Sequence, residues 1–267
     1  MNPNAPIGMF DSGVGGFTVA RVLQQLLPRE DVVYFGDSCN APYGNRSKED
    51  LTHLARQILD FMASKQVKAV CVACNTTSTF INEFTGYDFP VFSIVQAGAD
   101  EVVRHAPSKV GVLSTVFTAQ TGSYARLINA AAPQIQVLSQ GSVDLAGLVE
   151  SGKAGDEEIA AELHVSLGRL AQAHPDLDTL VLGCTHYPLA LDVIRREYPQ
   201  FTDIIDPAVS QVERLRSWLE AHDALNERGG SLRVYTSGEC AKFETLAARL
   251  DMKLTGPVTQ LHVATPL

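Results

Sequence analysis

The sequence is short of positive charge. Against 30 Asp and Glu it has only 21 Lys and Arg, a net charge of −9, and no basic run restores a local patch. Nucleic acids and anionic membranes need such a patch, so neither is expected as a partner. Long apolar runs are also missing. No stretch reaches the ~18 consecutive apolar residues of a membrane-spanning helix, and "MNPNAPIGMF" has neither the basic start nor the apolar core of a signal peptide. A cytoplasmic protein is expected. Cysteine is sparse and odd in number: Cys39, Cys71, Cys74, Cys184 and Cys240. That excludes a simple disulfide framework. Cys71 and Cys74 form a lone C-x-x-C with no second ligand pair, too little for structural zinc, and no metal is expected. Cys71 lies inside the apolar run "AVCVA" and reads as a buried core thiol.

What is present is the composition of a globular chain. With 267 residues, 45% of them hydrophobic, the chain can form one large domain or two modest ones. Short apolar runs predict strands over 7–10, 32–36, 69–73, 91–95, 109–114, 135–138, 179–183, 203–205 and 232–236. Helix-period stretches separate them, as in Leu51, Leu54, Ile58 and Met62, in Ile159, Leu163, Leu167 and Leu170, and in Val212, Leu215 and Leu219. Strands that are apolar throughout and alternate with helices belong to parallel sheets covered on both faces. The fold class is therefore α/β. The chain also repeats itself loosely: "IGMFDS" matches "VGVLST", and "VACNTT" matches "LGCTHY". This predicts two similar α/β halves, one of residues 1–96 plus 208–267 and one of residues 97–207, each giving one strand-end cysteine.

The polar residues that carry chemistry follow the strands, where open α/β sheets place their sites. In "FDSGVGGFT", Asp11 and Ser12 end a strand, and a glycine turn leads to a helix near Phe17. Such a turn can present N–H groups to an anion, or simply pack the helix on the sheet. "GDSCNAPYGNRS" is a turn-rich loop carrying Pro42, Tyr43 and Gly44, followed by a helix capped near Ser47 with Asp50 three residues on. "CNTTST" places Cys74, Asn75 and Thr76 just after a buried strand, and "GCTHYP" repeats the design with Cys184, Thr185 and His186. Between them "STVFTAQTGSY" supplies Thr115, Thr118, Thr121 and Ser123, hydroxyls that commonly cap helices. Cys184 beside His186 fits a hydrolase nucleophile with its base. Two cysteines in matching halves fit a different task, one proton acceptor on each face of a planar intermediate, because a thiol can be tuned toward ambient pH.

"FDSGVGGFTV", "GDSCNAPYG", "ACNTTS" and "LGCTHYPL", in this order and spacing, resemble the glutamate racemase family. The resemblance extends to "YTSGECAKFETLA" near the C-terminus. It implies two pseudo-symmetric α/β domains with the active site in the cleft between them. It also implies cofactor-independent interconversion of L- and D-glutamate in support of peptidoglycan synthesis, with aspartate or a broader amino-acid range as the alternative, and a homodimer. By the resemblance Cys74 takes the α-proton of D-glutamate and Cys184 that of L-glutamate. Asp11 assists Cys74, and His186 with Glu150 assists Cys184. The substrate's carboxylates and amine fall to Asp11, Ser12, Pro42, Tyr43, Gly44, Asn75, Thr76, Thr118, Thr185 and His186. Cys39 and Cys240 have no assigned part.

Overall fold

A computed structural model describes residues 2–261; residues 262–267, within the span expected for the first domain, lie outside the described residues. The strands are β1 (Ile7–Asp11), β2 (Val32–Gly36), β3 (Ala69–Val72), β4 (Val91–Ser93), β5 (Lys109–Thr115), β6 (Gln136–Ser142), β7 (Thr179–Gly183), β8 (Asp203–Ile205), β9 (Leu232–Thr236) and β10 (Thr259–Gln260). The first half of the chain adds helices α1 (Phe17–Leu26), α2 (Lys48–Ser64), the single turn α3 (Asn75–Ser78) and α4 (Ile94–His105). The rest adds α5 (Val116–Thr121), α6 (Ser123–Ala131), α7 (Leu145–Ser151), α8 (Asp156–Ala173), α9 (Leu191–Glu197), α10 (Pro207–Ala221) and α11 (Cys240–Arg249).

The strands form two sheets, one in the order β10-β9-β2-β1-β3-β4 and one in the order β6-β5-β7-β8. Every pairing among the described residues is parallel. The run β2-β1-β3-β4 in one sheet matches β6-β5-β7-β8 in the other, so the repeat in the sequence is a repeat of strand order. Late in the chain β9 returns to pair with β2.

Each central strand is buried on both faces, as an apolar parallel strand must be. In β1, Ile7 and Met9 face one core while Phe10 faces another, the alternation of a pleated strand. The first core is continuous between the sheets. It runs from Ile7 and Cys71 through Val102 of α4 and Leu215 of α10 to Val112 and Val181, so α4 and α10 join the two halves by apolar packing. Phe10, Phe35, Ile58 and Met62 close the outer face of the first sheet under α2. Leu163, Leu167 and Leu180 do the same for the second under α8.

Two sequence expectations need correction. The run expected as a strand over 91–95 stops at Ser93, because Ser93 Oγ accepts from Gln96 N at 3.1 Å and caps α4. The strand expected over 135–138 is β6 and runs to Ser142. Among the described residues it is an edge strand paired only with β5, so exposed Ser139 and half-exposed Gln140 and Gly141 continue it without an apolar signal. The cap at Ser47 forms as expected, its Oγ accepting from Asp50 N at 3.1 Å.

Candidate active site

Parallel strands bring their C-terminal ends to one edge of the sheet. In the first sheet β1 and β3 are neighbours and end at Asp11 and just before Cys74. In the second, β5 and β7 are neighbours and end at Thr115 and just before Cys184. These two edges meet. Thr185 Oγ1 donates to Asp11 Oδ2 at 3.2 Å, and Thr18 Oγ1 reaches the Thr185 carbonyl at 3.0 Å. Thr76 Oγ1 lies 3.2 Å from Thr115 Oγ1 and 3.4 Å from Thr118 Oγ1. Both thiols are buried in this seam, Cys74 at 4% exposure and Cys184 at 7%.

The two sulfurs have different surroundings. Burial pushes the Cys74 thiol up to about 12, and the charge of Asp11 adds to the rise, while Thr77 beside it pulls the other way. Asp11 is fully buried. Its Oδ2 accepts from Gly16 N at 2.7 Å, and its Oδ1 has no protein partner. Burial raises its pKa above the usual carboxylate range, against the opposing charge of His186. Half-buried Ser12 supports the same carboxylate through its backbone N–H. On the other side Cys184 Sγ lies 3.7 Å from His186 Nδ1, and His186 Nε2 lies 3.3 Å from Glu150 Oε2. The second contact is an ion pair without hydrogen-bond alignment. Burial opposes a charge on His186, yet Cys184 and Glu150 together hold its pKa well above the ordinary imidazole range. Burial likewise works against Glu150, and His186 outweighs it, holding that carboxyl low.

The glycine turn before α1 has a role its sequence does not show. The N–H of Gly16 is taken by Asp11, so the anion at this turn is the chain's own carboxylate. A Cβ on Gly15 would lie 2.5 Å from His186 Cε1, and one on Gly13 would lie 2.8 Å from Glu150 Oε1. The turn is bare of side chains where His186 and Glu150 pack against it.

The remaining predicted residues divide into two groups. Asn75, Thr76, Thr118 and Thr185 are buried in the seam. Asn75 Oδ1 accepts from Tyr124 OH at 2.8 Å, while its Nδ2 is buried without a protein partner. Pro42 and Gly44 lie farther out, lining a cavity of about 650 Å³ with Thr115, Ser142 and Glu162. Tyr43 is buried, but its hydroxyl donates to Asp37 Oδ2 at 2.6 Å. Asp37 also accepts from Ser237 Oγ at 2.7 Å and from Asn40, and so ties this loop to the end of β9. Sequence reading passed over Asp37 and Tyr124; the only signal for either was its place just after a strand or a hydroxyl-rich turn. A second cavity of about 550 Å³, lined by Val14, Glu150, Leu189 and Lys242, reaches Glu150 from outside. Neither cavity is lined by a thiol. Cys71 is fully buried in the core, and burial pushes its thiol up to about 12. No group of three or more metal-ligating side chains assembles among the described residues, and no helix there is long and apolar enough to cross a membrane.

Comparison with known proteins places this geometry in context. The profile of the Asp/Glu/hydantoin racemases matches residues 1–215. A glutamate racemase of Thermoanaerobacter sp. (strain X514) is 38% identical over 247 residues, covering 92% of each chain. Among solved structures, a glutamate racemase isoform from Bacillus anthracis superposes with a TM-score of 0.91 at 30% identity, covering 100% of both chains. The glutamate racemase of Francisella tularensis in complex with D-glutamate gives 0.87 at 29% identity, covering 98% of each chain.

Proposed function

The chain belongs to the Asp/Glu/hydantoin racemase family, and from that premise we propose that it interconverts L- and D-glutamate by a two-base mechanism, without a cofactor. The observation that carries the proposal is the pair of buried thiols. Each follows the equivalent strand of its own sheet, β3 or β7, and each has its own carboxylate-bearing support.

One thiol removes the α-proton from one face of the substrate, and the other returns a proton to the opposite face. The Cα–H is a weak acid, so the carbanion needs a site that excludes water and carries fixed donors. Both thiols are buried away from bulk solvent, and Asn75, Thr76, Thr118 and Thr185 supply donors for the substrate's carboxylates and amine. Ser12 contributes from the turn after β1, and Tyr43 and Gly44 contribute from the outer loop. Cys74 acts on D-glutamate. Its thiol is protonated at neutral pH, so it is ready to donate, and to act as a base it must pass its proton on. Asp11, with a free and buried Oδ1 and a raised affinity for protons, is its assistant. Cys184 acts on L-glutamate, with His186 relaying the proton and Glu150 stabilising charge on the imidazole. The product, D-glutamate, serves peptidoglycan synthesis in the cytoplasm, and the working unit is a homodimer.

The test is incubation with one enantiomer in D₂O with no added cofactor. Deuterium should enter Cα as optical rotation decays to zero; absence of exchange refutes the racemase reading. Cys74→Ala and Cys184→Ala should each abolish racemisation. A normal rate in either variant refutes the two-base assignment.

A further inference from the structure

We propose that Tyr124 is a positioning residue that fixes the Asn75 side-chain amide with its NH₂ group toward the reaction space, so that Asn75 can only donate there and selects a carboxylate. The inference rests on the proposed function and deepens it.

Tyr124 lies in the first turn of α6 in the second half of the molecule, and Asn75 follows Cys74 in the first. Tyr124 is 2% exposed and its hydroxyl donates to Asn75 Oδ1 at 2.8 Å. A side-chain amide has one acceptor end and one donor end. With the acceptor end held by the phenol, the donor end is set. That end, Nδ2, is buried and has no partner in the protein. A buried amide NH₂ left without an acceptor costs free energy unless a ligand supplies one, and the ligand that suits it is an anion. The phenol also lies within electrostatic reach of Cys184, so the pair belongs to the seam that holds both sulfurs. Because burial raises the phenol's pKa above the ordinary range, it remains a donor at any working pH. Without this hydroxyl the amide could turn its carbonyl toward the substrate carboxylate and repel it.

Tyr124→Phe removes the hydroxyl and keeps the ring. Its effect should therefore fall on substrate binding. KM for both enantiomers should rise about tenfold, the loss of one charge-assisted donor, while kcat stays within about threefold. A double-mutant cycle separates positioning from general damage. If Tyr124 acts through Asn75, then adding Tyr124→Phe to Asn75→Ala should change KM by less than about twofold. Calorimetric titration with D-glutamate gives the same comparison for Kd without turnover. An unchanged KM and Kd in Tyr124→Phe, or effects of the two substitutions that multiply, would overturn the inference while racemisation by the native protein stands. Native binding that depends on Tyr124 without racemisation would overturn the racemase reading and sustain this one. A native protein that binds neither enantiomer overturns both.

Discussion

Gly15→Ala isolates the contact between the glycine turn and His186. Gly15 does not sit in the left-handed region of backbone space, so alanine meets no backbone strain there. Shortening the unfolded chain's freedom should even favour the variant by about 0.4–1 kcal/mol. Against this stands the new methyl group, 2.5 Å from His186 Cε1, 2.6 Å from Nδ1 and 2.6 Å from Thr185 Oγ1. Ordinary carbon contacts lie at about 3.5–4.0 Å, so the imidazole must retreat by about 1 Å. It has little room to do so, with Cys184 Sγ on one ring nitrogen at 3.7 Å and Glu150 on the other at 3.3 Å. Overpacking of this kind costs about 1–3 kcal/mol. The net loss of about 1–2 kcal/mol corresponds to a fall in Tm of roughly 2–8 °C.

The catalytic effect should be larger than the stability effect. With His186 in the proposed relay, a misplacement of about 1 Å costs on the order of 10²-fold, so kcat/KM should fall by about that factor in both directions. Melting curves and racemisation rates from each enantiomer are the assays. Gly147→Ala in α7 is the control, because its Cβ would meet nothing within 4 Å. It should stabilise the helix by about 0.5–1 kcal/mol with unchanged rates. A Gly15→Ala protein with native Tm and native rates would refute the contact. A lowered Tm with native rates would refute the claim that this turn sets the position of His186.

Other perturbations probe separate parts of the molecule. Lys68→Met removes one partner of a buried ion pair with Glu30, at 2.6 Å and 0% and 1% side-chain exposure; stability should fall by about 3–5 kcal/mol, and a urea midpoint within error of native would contradict this. Glu150→Gln takes away a charge that helps keep His186 protonated, so the pH limb of kcat/KM that reports His186 should move to lower pH; an unmoved limb argues against the pair. Cys71 and Cys74 have folded pKa values of about 12 against 9.0, so the native state holds protons the unfolded chain has lost. The stability from this is present below pH 9 and is lost as pH rises toward 12, at about 1.4 kcal/mol per pH unit for each thiol. Cys71→Val should remove one thiol's share of that slope in a series of urea titrations, and an unchanged slope would refute the assignment.

The sheet architecture was legible because its signal is local. A strand buried on both faces must be apolar along its whole length, so β1, β5 and β7 stand out from the helical periods around them. The edge strand β6 does not stand out, because solvent on one side lets Ser139 and Gln140 continue it. The same distinction governs the site. Asp11, Cys74 and Cys184 could be singled out as candidates from sequence because parallel strands deliver their C-terminal residues to one edge, and the repeated strand-to-polar pattern points to these ends. Contacts made across the seam have no such mark. Glu150 sits in a helix 36 residues before His186 and was reached only through family resemblance; nothing in "GLVESG" points to an imidazole. Tyr124 reads as one more aromatic after a run of hydroxyls until α6 lays it on Asn75. Gly15 is the extreme case, since its contribution to His186 is space, and an absent side chain says nothing in the sequence about the group that fills its place.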